Sequence, residues 1–226
     1  MPSKETDLRL KTVEKGDIFG ILKEAILSNQ IKPGERLNES ELARQFKIPR
    51  APIREALQKL EEQGLVLSNP RKGMFVVNLD EVDKQKMNSV RLVLEAEALR
   101  LSRLNLDSKA ETELAQAIEK MERQVEGPAD QQWRLDLQFH QILWKLCGNE
   151  FLEKALNRLT TPLFSHAVLT TPEKKKLHTV IVSHRTLLEY IQGSSDRPVE
   201  DLLIEHYSTG FADPGRFSSF DRPRKS

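Results

Sequence analysis

Cysteine is nearly absent from this chain. Cys147 is the only one among 226 residues, so no internal disulfide can staple the fold. Its apolar surroundings, "ILWKLCG", mark it as a small buried hydrophobe. No apolar run approaches the ~18 residues that a membrane-spanning helix needs, and no basic-then-apolar leader opens the chain. Both absences predict a cytoplasmic, reducing location with no membrane partner. Asn38-Glu39-Ser40 matches a glycosylation sequon, which without a leader is a chance match. Several catalytic signatures are missing too: there is no HExxH, no GxSxG and no P-loop. Net charge is small, +1, so the total neither demands nor forbids a polyanionic partner.

The distribution of charge says more. Residues 1–78 hold 14 Lys+Arg against 11 Asp+Glu, while the remainder holds 21 against 23. The excess of cations in the first part concentrates in "KIPRAPIR", which has three cations and no anion.

That part reads as three helices and a hairpin. Met1 to about Lys15 is polar and is expected to fray. Ile18, Ile21, Leu22, Ala25 and Ile26 recur at helical spacing. Pro33 and Gly34 break that helix. Asn38 is placed to cap a second one, with Glu41 at the capping-box position. Pro52 suits the first turn of a third helix, with Ile53, Ala56, Leu57 and Leu60 on its buried face and Gly64 at its end. "LVLSNPRKGMFVV" then reads strand, turn, strand. Three helices and a basic hairpin make a winged helix-turn-helix.

From Leu79 onward the strand pattern stops. Asp80 can cap a long helix to about Arg103, with Met87, Val90, Val93, Leu94 and Ala98 inside. Further helices fit 108–125, 130–147, 150–169, 173–192 and 197–209, split at Gly127-Pro128, Gly148-Asn149, Thr171-Pro172 and Gly193-Ser194. The expected fold class is mainly α: a winged helix with a small β-hairpin, then an antiparallel bundle of about six helices. The expected division is 1–78, 79–212 and a disordered tail at 213–226.

In a helix-turn-helix the second helix of the motif enters the major groove and its first residues meet base edges. Arg50 and Arg54 lie four apart at that helix start, on one face. A guanidinium fits guanine O6 and N7 bidentately, and fits phosphate as well. Lys47 precedes them. Arg71 and Lys72 sit beside Gly73 in the wing, suited to phosphate or the minor groove. An ordinary solvated helix face is the bland reading of the same residues.

"ILSNQIKPGERLNESELARQFKIPRAPIREALQKLEEQGLV" followed by "NPRKGMFVV" resembles the DNA-binding domain of GntR-type bacterial transcription regulators, over residues 17–77. The resemblance implies that Arg50 and Arg54 read an operator and that Gly73 lets the wing backbone approach DNA. Two positions depart from the pattern: Pro49 stands where Ser is usual, and Ala51 where Thr is usual. Losing a capping hydroxyl costs about 1 kcal/mol.

The later helices carry "WRLDLQFHQILWKLCGNEFL", in which Asp136 and His140 share a helical face. His184 and His206 lie on two later helices. One carboxylate and three imidazoles facing a bundle core can bind a divalent metal; each can equally be a satisfied core residue. "RLVLEAEALRLS", Asp136 and His140 with Gly148-Asn149, "SHRTLLEYIQGSSD" and the terminal "EHY" resemble the effector domain of the FadR subfamily, the FCD domain. The resemblance implies that Asp136, His140, His184 and His206 hold zinc, nickel or manganese beneath a cavity for a small organic acid, and that this domain carries a homodimer interface. Arg91, Arg158 and His166 are candidates to contact the acid, with ordinary salt bridges the competing reading for both arginines. His178 is expected at the surface. After His206 the family's longer final helix is expected to stop early, at Gly210 and Pro214.

These expectations combine into a DNA-binding regulator, leaning toward a repressor, that binds a pseudo-palindromic double-stranded operator as a homodimer. A direct metal sensor and a metal-dependent hydrolase are the alternatives.

Overall fold

The computed structural model describes residues 17–167 and 174–210. The expected frayed start, the Thr171-Pro172 break and the tail from 213 fall outside the described residues, as does the side chain of His166.

The first part begins with α1 (Ile18–Leu27), capped by Asp17, whose carboxylate accepts from the Gly20 N–H at 2.8 Å. A short strand β1 (Arg36–Leu37) leads into α2 (Glu39–Phe46). Asn38 Oδ1 caps α2 by accepting from Ser40 N and Glu41 N at 2.9 and 3.3 Å. Lys47 closes α2 in the left-handed region, at φ 55°. α3 (Arg50–Glu62) follows, with Pro49 as N-cap and no side-chain cap bond. The usual serine would supply that bond.

β2 (Val66–Asn69) and β3 (Gly73–Val76) form the expected antiparallel wing. The sheet has a third strand that the sequence did not announce: β1 pairs with the far side of β3, Arg36 opposite Phe75, giving the order β1-β3-β2. Two residues are too few for an alternating pattern to register. Leu22, Ile53, Leu57 and Leu60 are the centre of this part's core, each at most 1% exposed.

Six helices follow among the described residues: α4 (Glu81–Asn105), α5 (Ser108–Arg123), α6 (Ala129–Leu146), α7 (Glu150–Ala167), α8 (Lys174–Ile191) and α9 (Val199–Gly210). They enclose a second core around Phe139, Leu143, Trp144, Leu187 and Leu203. Ser102 Oγ donates to the Leu143 carbonyl and Asn105 Nδ2 to those of Leu146 and Cys147, so α4 runs alongside α6 in the same direction.

The expected inner face of α4 needs correction. Val90 and Val93 are 50% and 66% exposed. The buried face carries Asn88, Arg91, Leu92, Glu95, Ala98, Leu99 and Ser102 instead. An apolar-inside rule misreads this helix because Arg91, Glu95 and Ser102 meet partners across the bundle.

The two parts touch. Glu24 of α1 pairs with Arg134 of α6. Gly64, at φ +72°, packs so closely on α7 that a methyl group there would overlap the Arg158 carbonyl oxygen. Pro162, inside α7, has no N–H to offer that carbonyl, which lies four residues before it. The winged part thus rests on a proline-interrupted turn of the bundle.

Candidate functional site

At the winged end, Arg50 occupies the first turn of α3 and Arg54 the next, both exposed, while Ile53, Ala56 and Leu57 are buried. Arg54 is engaged: its Nε and Nη2 donate to the Glu39 carboxylate at 3.0–3.3 Å. Arg50 makes no ion pair among the described residues. Lys47, Arg71 and Lys72 are exposed. Arg71 takes φ 66° in the wing turn, and Gly73 takes φ 104°. The Arg36 guanidinium lies against Gly73, its Nε 3.4 Å from where a Cβ would stand. Sequence reading missed Arg36, because the strand that carries it is too short to see, and missed Glu39 as a partner of Arg54.

In the bundle, α6 supplies Asp136 and His140, α8 supplies His184 and α9 supplies His206. Their exposures are 5%, 1%, 0% and 5%, and one ligand atom from each lies within 4.8 Å of all the others. His140 Nε2 stands 3.0 Å from His206 Nε2 and 3.4 Å from Asp136 Oδ1. His184 Nε2 stands 2.9 Å from the same oxygen.

Where the ring protons sit follows from the other nitrogens. His184 Nδ1 faces the Val180 carbonyl at 2.8 Å, so it donates. Ser183 Oγ commits its proton to that carbonyl at 2.6 Å. His206 Nδ1, 2.8 Å from Ser183 Oγ, must therefore donate to it. His140 Nδ1 stands 3.1 Å from Glu95 Oε1, an ion-pair distance. All three rings turn Nε2 inward, toward one another and Asp136 Oδ1. Four ligand atoms thus converge, and a divalent ion could hold them together. A divalent ion with bonds of about 2.0–2.2 Å spans donors about 3 Å apart, and a small inward shift of the more distant atoms would complete its shell. The outward N–H bonds of His184 to a carbonyl and of His206 to a hydroxyl are of the kind that orient metal-binding histidines.

The electrostatics agree. Burial opposes ionisation of Asp136, but His184 and His140 outweigh it and hold the carboxyl well below its usual range. Burial, then the neighbouring imidazoles His184 and His140, drive His206 well below the ordinary histidine value, so it stays neutral. His140 moves the other way: burial lowers it, but Glu95 and Asp136 more than compensate.

Glu95 ties the surroundings together. It is fully buried and accepts from Arg91 Nε and Nη2 at 3.1 and 3.3 Å, from Trp144 Nε1 at 2.9 Å, and from the Tyr207 hydroxyl. Burial raises its pKa, but Arg91 and His140 prevail and keep it ionised. Arg91, also fully buried, is sandwiched between Tyr207 and Phe164, 4.4 and 5.3 Å from the ring centroids. Its Nη2 reaches within 3.5 Å of His140 Nε2. Arg158 is elsewhere: exposed on α7, with its carbonyl against Gly64. His178 is exposed. Sequence reading singled out neither Glu95 nor Tyr207.

Residues 15–76 match the family described as bacterial regulatory proteins, gntR family, and residues 86–209 match the FCD domain. An uncharacterized HTH-type transcriptional regulator of Bacillus subtilis, YdhC, is 28% identical over 84% of this chain and 86% of its own length. The gluconate operon transcriptional repressor of Bacillus licheniformis is 28% identical over 85% of this chain and 79% of its own. Among solved structures, E. coli McbR/YncC superposes with a TM-score of 0.70 at 22% identity, covering 83% of this chain and 90% of that one, a likeness of fold. No helix among the described residues is long and apolar enough to cross a membrane. A winged helix joined to an FCD bundle is the architecture of a regulator rather than an enzyme, and the chain belongs to the GntR family of transcriptional regulators.

Proposed function

We propose that this protein is a cytoplasmic, homodimeric repressor of the FadR subfamily, whose grip on a pseudo-palindromic operator is loosened by a small organic acid. The observation that carries the reading is the convergence of three imidazole nitrogens and one carboxylate oxygen in the bundle. Asp136, His140, His184 and His206 would hold zinc, nickel or manganese. When bound, such an ion supplies a Lewis-acidic position for a carboxylate oxygen. The charges around the cluster support an anionic ligand. Arg91 and Glu95 cancel, and Asp136 offsets half of a divalent ion, which leaves one positive charge in excess. Arg91 would meet the acid's other oxygen. Arg158 is too far out on α7 for that role, and its backbone instead serves the contact with the winged part. The ligand atoms are almost wholly buried, which favours a resident ion over one that exchanges as the signal itself.

The route to DNA runs through two helices. α4 carries Arg91 and Glu95 and begins just after the wing. α7 carries Phe164 against Arg91 and His140, and Arg158 against Gly64. A ligand that repositions Arg91 or Phe164 acts on both connections. Lys47, Arg50, Arg54, Arg71, Lys72 and Gly73 would face the operator. A second copy would bring the second half-site. Val82, Val90, Val93 and Leu104 stand exposed within an arc of about 80° on α4 that also carries Lys86, Glu97 and Arg100, a mixed face suited to such a copy. Repression is supported by the role stated for the Bacillus licheniformis relative.

Operator release tests this function. With ion-loaded protein, a bound acid is expected to weaken operator binding about 5- to 150-fold, the usual span of such coupling. After chelation the same acid should have no effect. Equal release from stripped and loaded protein, or no response to any small acid, would overturn the reading.

A further inference from the structure

We infer that the acid is a hydroxylated one, and that Asn88, Gln132 and Thr160 select it. This rests on the reading of the Asp/His cluster as an effector site. Three helices lay ridges along the Asp/His cluster. α4 places Asn88 one turn before Arg91. α6 places Gln132 one turn before Asp136 and two before His140. α7 places Thr160 one turn before Phe164. Ring contacts fix these ridges around one space: Phe164 lies 5.8 Å from His140, 6.5 Å from Trp133 and 5.3 Å from the Arg91 guanidinium.

Asn88, Gln132 and Thr160 are 5%, 4% and 0% exposed. Yet Asn88 Oδ1, Gln132 Nε2, Thr160 Oγ1 and Arg91 Nη1 are buried without a hydrogen-bond partner. Folded proteins rarely leave one such group dry, because each has given up water for nothing. Turning either amide over only exchanges which pole is unpaired. Four of these groups on adjoining ridges amount to the polar lining of a binding site. An aliphatic or aromatic acid would satisfy Arg91 and leave the other three stranded. A hydroxyl donates to Asn88 Oδ1 and accepts from Gln132 Nε2 or Thr160. The lining therefore fits a short acid with two or more hydroxyls. Sites built to hydrogen-bond a hydroxyl reject analogues that lack it more strongly than apolar sites reject an added one.

Calorimetry on the full-length, zinc-loaded protein with carbon-matched pairs tests this: gluconate against hexanoate, tartrate against succinate, glycerate against propionate. In at least one pair the hydroxylated acid should bind tenfold or more tightly. Asn88→Leu and Gln132→Leu should each lose about tenfold for that acid and keep their affinity for its plain partner. Without ligand, both variants should melt no lower than wild type, since each removes an unpaired polar group. If both members of every pair bind alike, the hydroxyl inference falls and the organic-acid reading stands. If no acid binds at all, both fall.

Discussion

Replacing Arg50 by alanine is expected to weaken operator binding about 30-fold or more. Arg50 is exposed, stands in the first turn of the helix that enters the groove, and makes no ion pair among the described residues. Its guanidinium has nothing to give up on meeting a base or phosphate. A bidentate contact of this type discriminates by about 1–3 kcal/mol, and a dimer makes it twice. Arg54→Ala should cost less, because that side chain must first leave Glu39. The pair is exposed and worth little, so Glu39→Gln should raise affinity only slightly. Neither arginine touches the buried face of α3, so thermal stability should hardly move. Anisotropy titrations of the three variants on one operator duplex check the order. A loss below about threefold for Arg50→Ala would remove it from the interface.

The second large effect is at the cluster. His184→Ala is expected to lower divalent-ion affinity more than about 100-fold, since even outer partners of metal ligands commonly account for 10–100-fold. The variant should also lose its response to the acid. The ring packs edge-on against Phe139, 4.7 Å between centroids, so some stability will be lost whatever the metal does. The informative quantity is the rise in Tm on adding the ion. In wild type it should follow the linkage of binding to folding, and in His184→Ala it should vanish. His178→Ala, an exposed position, should keep it. An unchanged ion-dependent rise in His184→Ala would strike that residue from the ligand set.

Several of these features could be read from the sequence for physical reasons. Apolar positions at helical spacing, with Asn38 before α2 and Gly64 after α3, announce the helix-turn-helix. Asp136 and His140 stand four apart, so any helix puts them on one face. Glu95 was hidden by the same rule. Arg91 and Glu95 are also four apart, and on most helices such a pair is a solvated surface bridge worth a few tenths of a kcal/mol. Only the packing of α6 and α9 against α4 reveals that this one is buried and holds His140. Val90 and Val93 fail in the opposite direction: local apolarity cannot say which face another helix, or a second copy, will cover. Arg158 looked available for an anion because nothing local shows that it stands exposed on α7.

X-ray absorption at the metal edge of the dialysed, full-length protein is the most direct test of the central claim. The account predicts about one divalent ion per chain, bound by three imidazole nitrogens and a carboxylate oxygen, with remaining positions filled by water. Addition of the acid should replace water scattering with carboxylate oxygen. A protein that holds no ion after loading, or an ion with fewer than three imidazoles around it, would contradict the account.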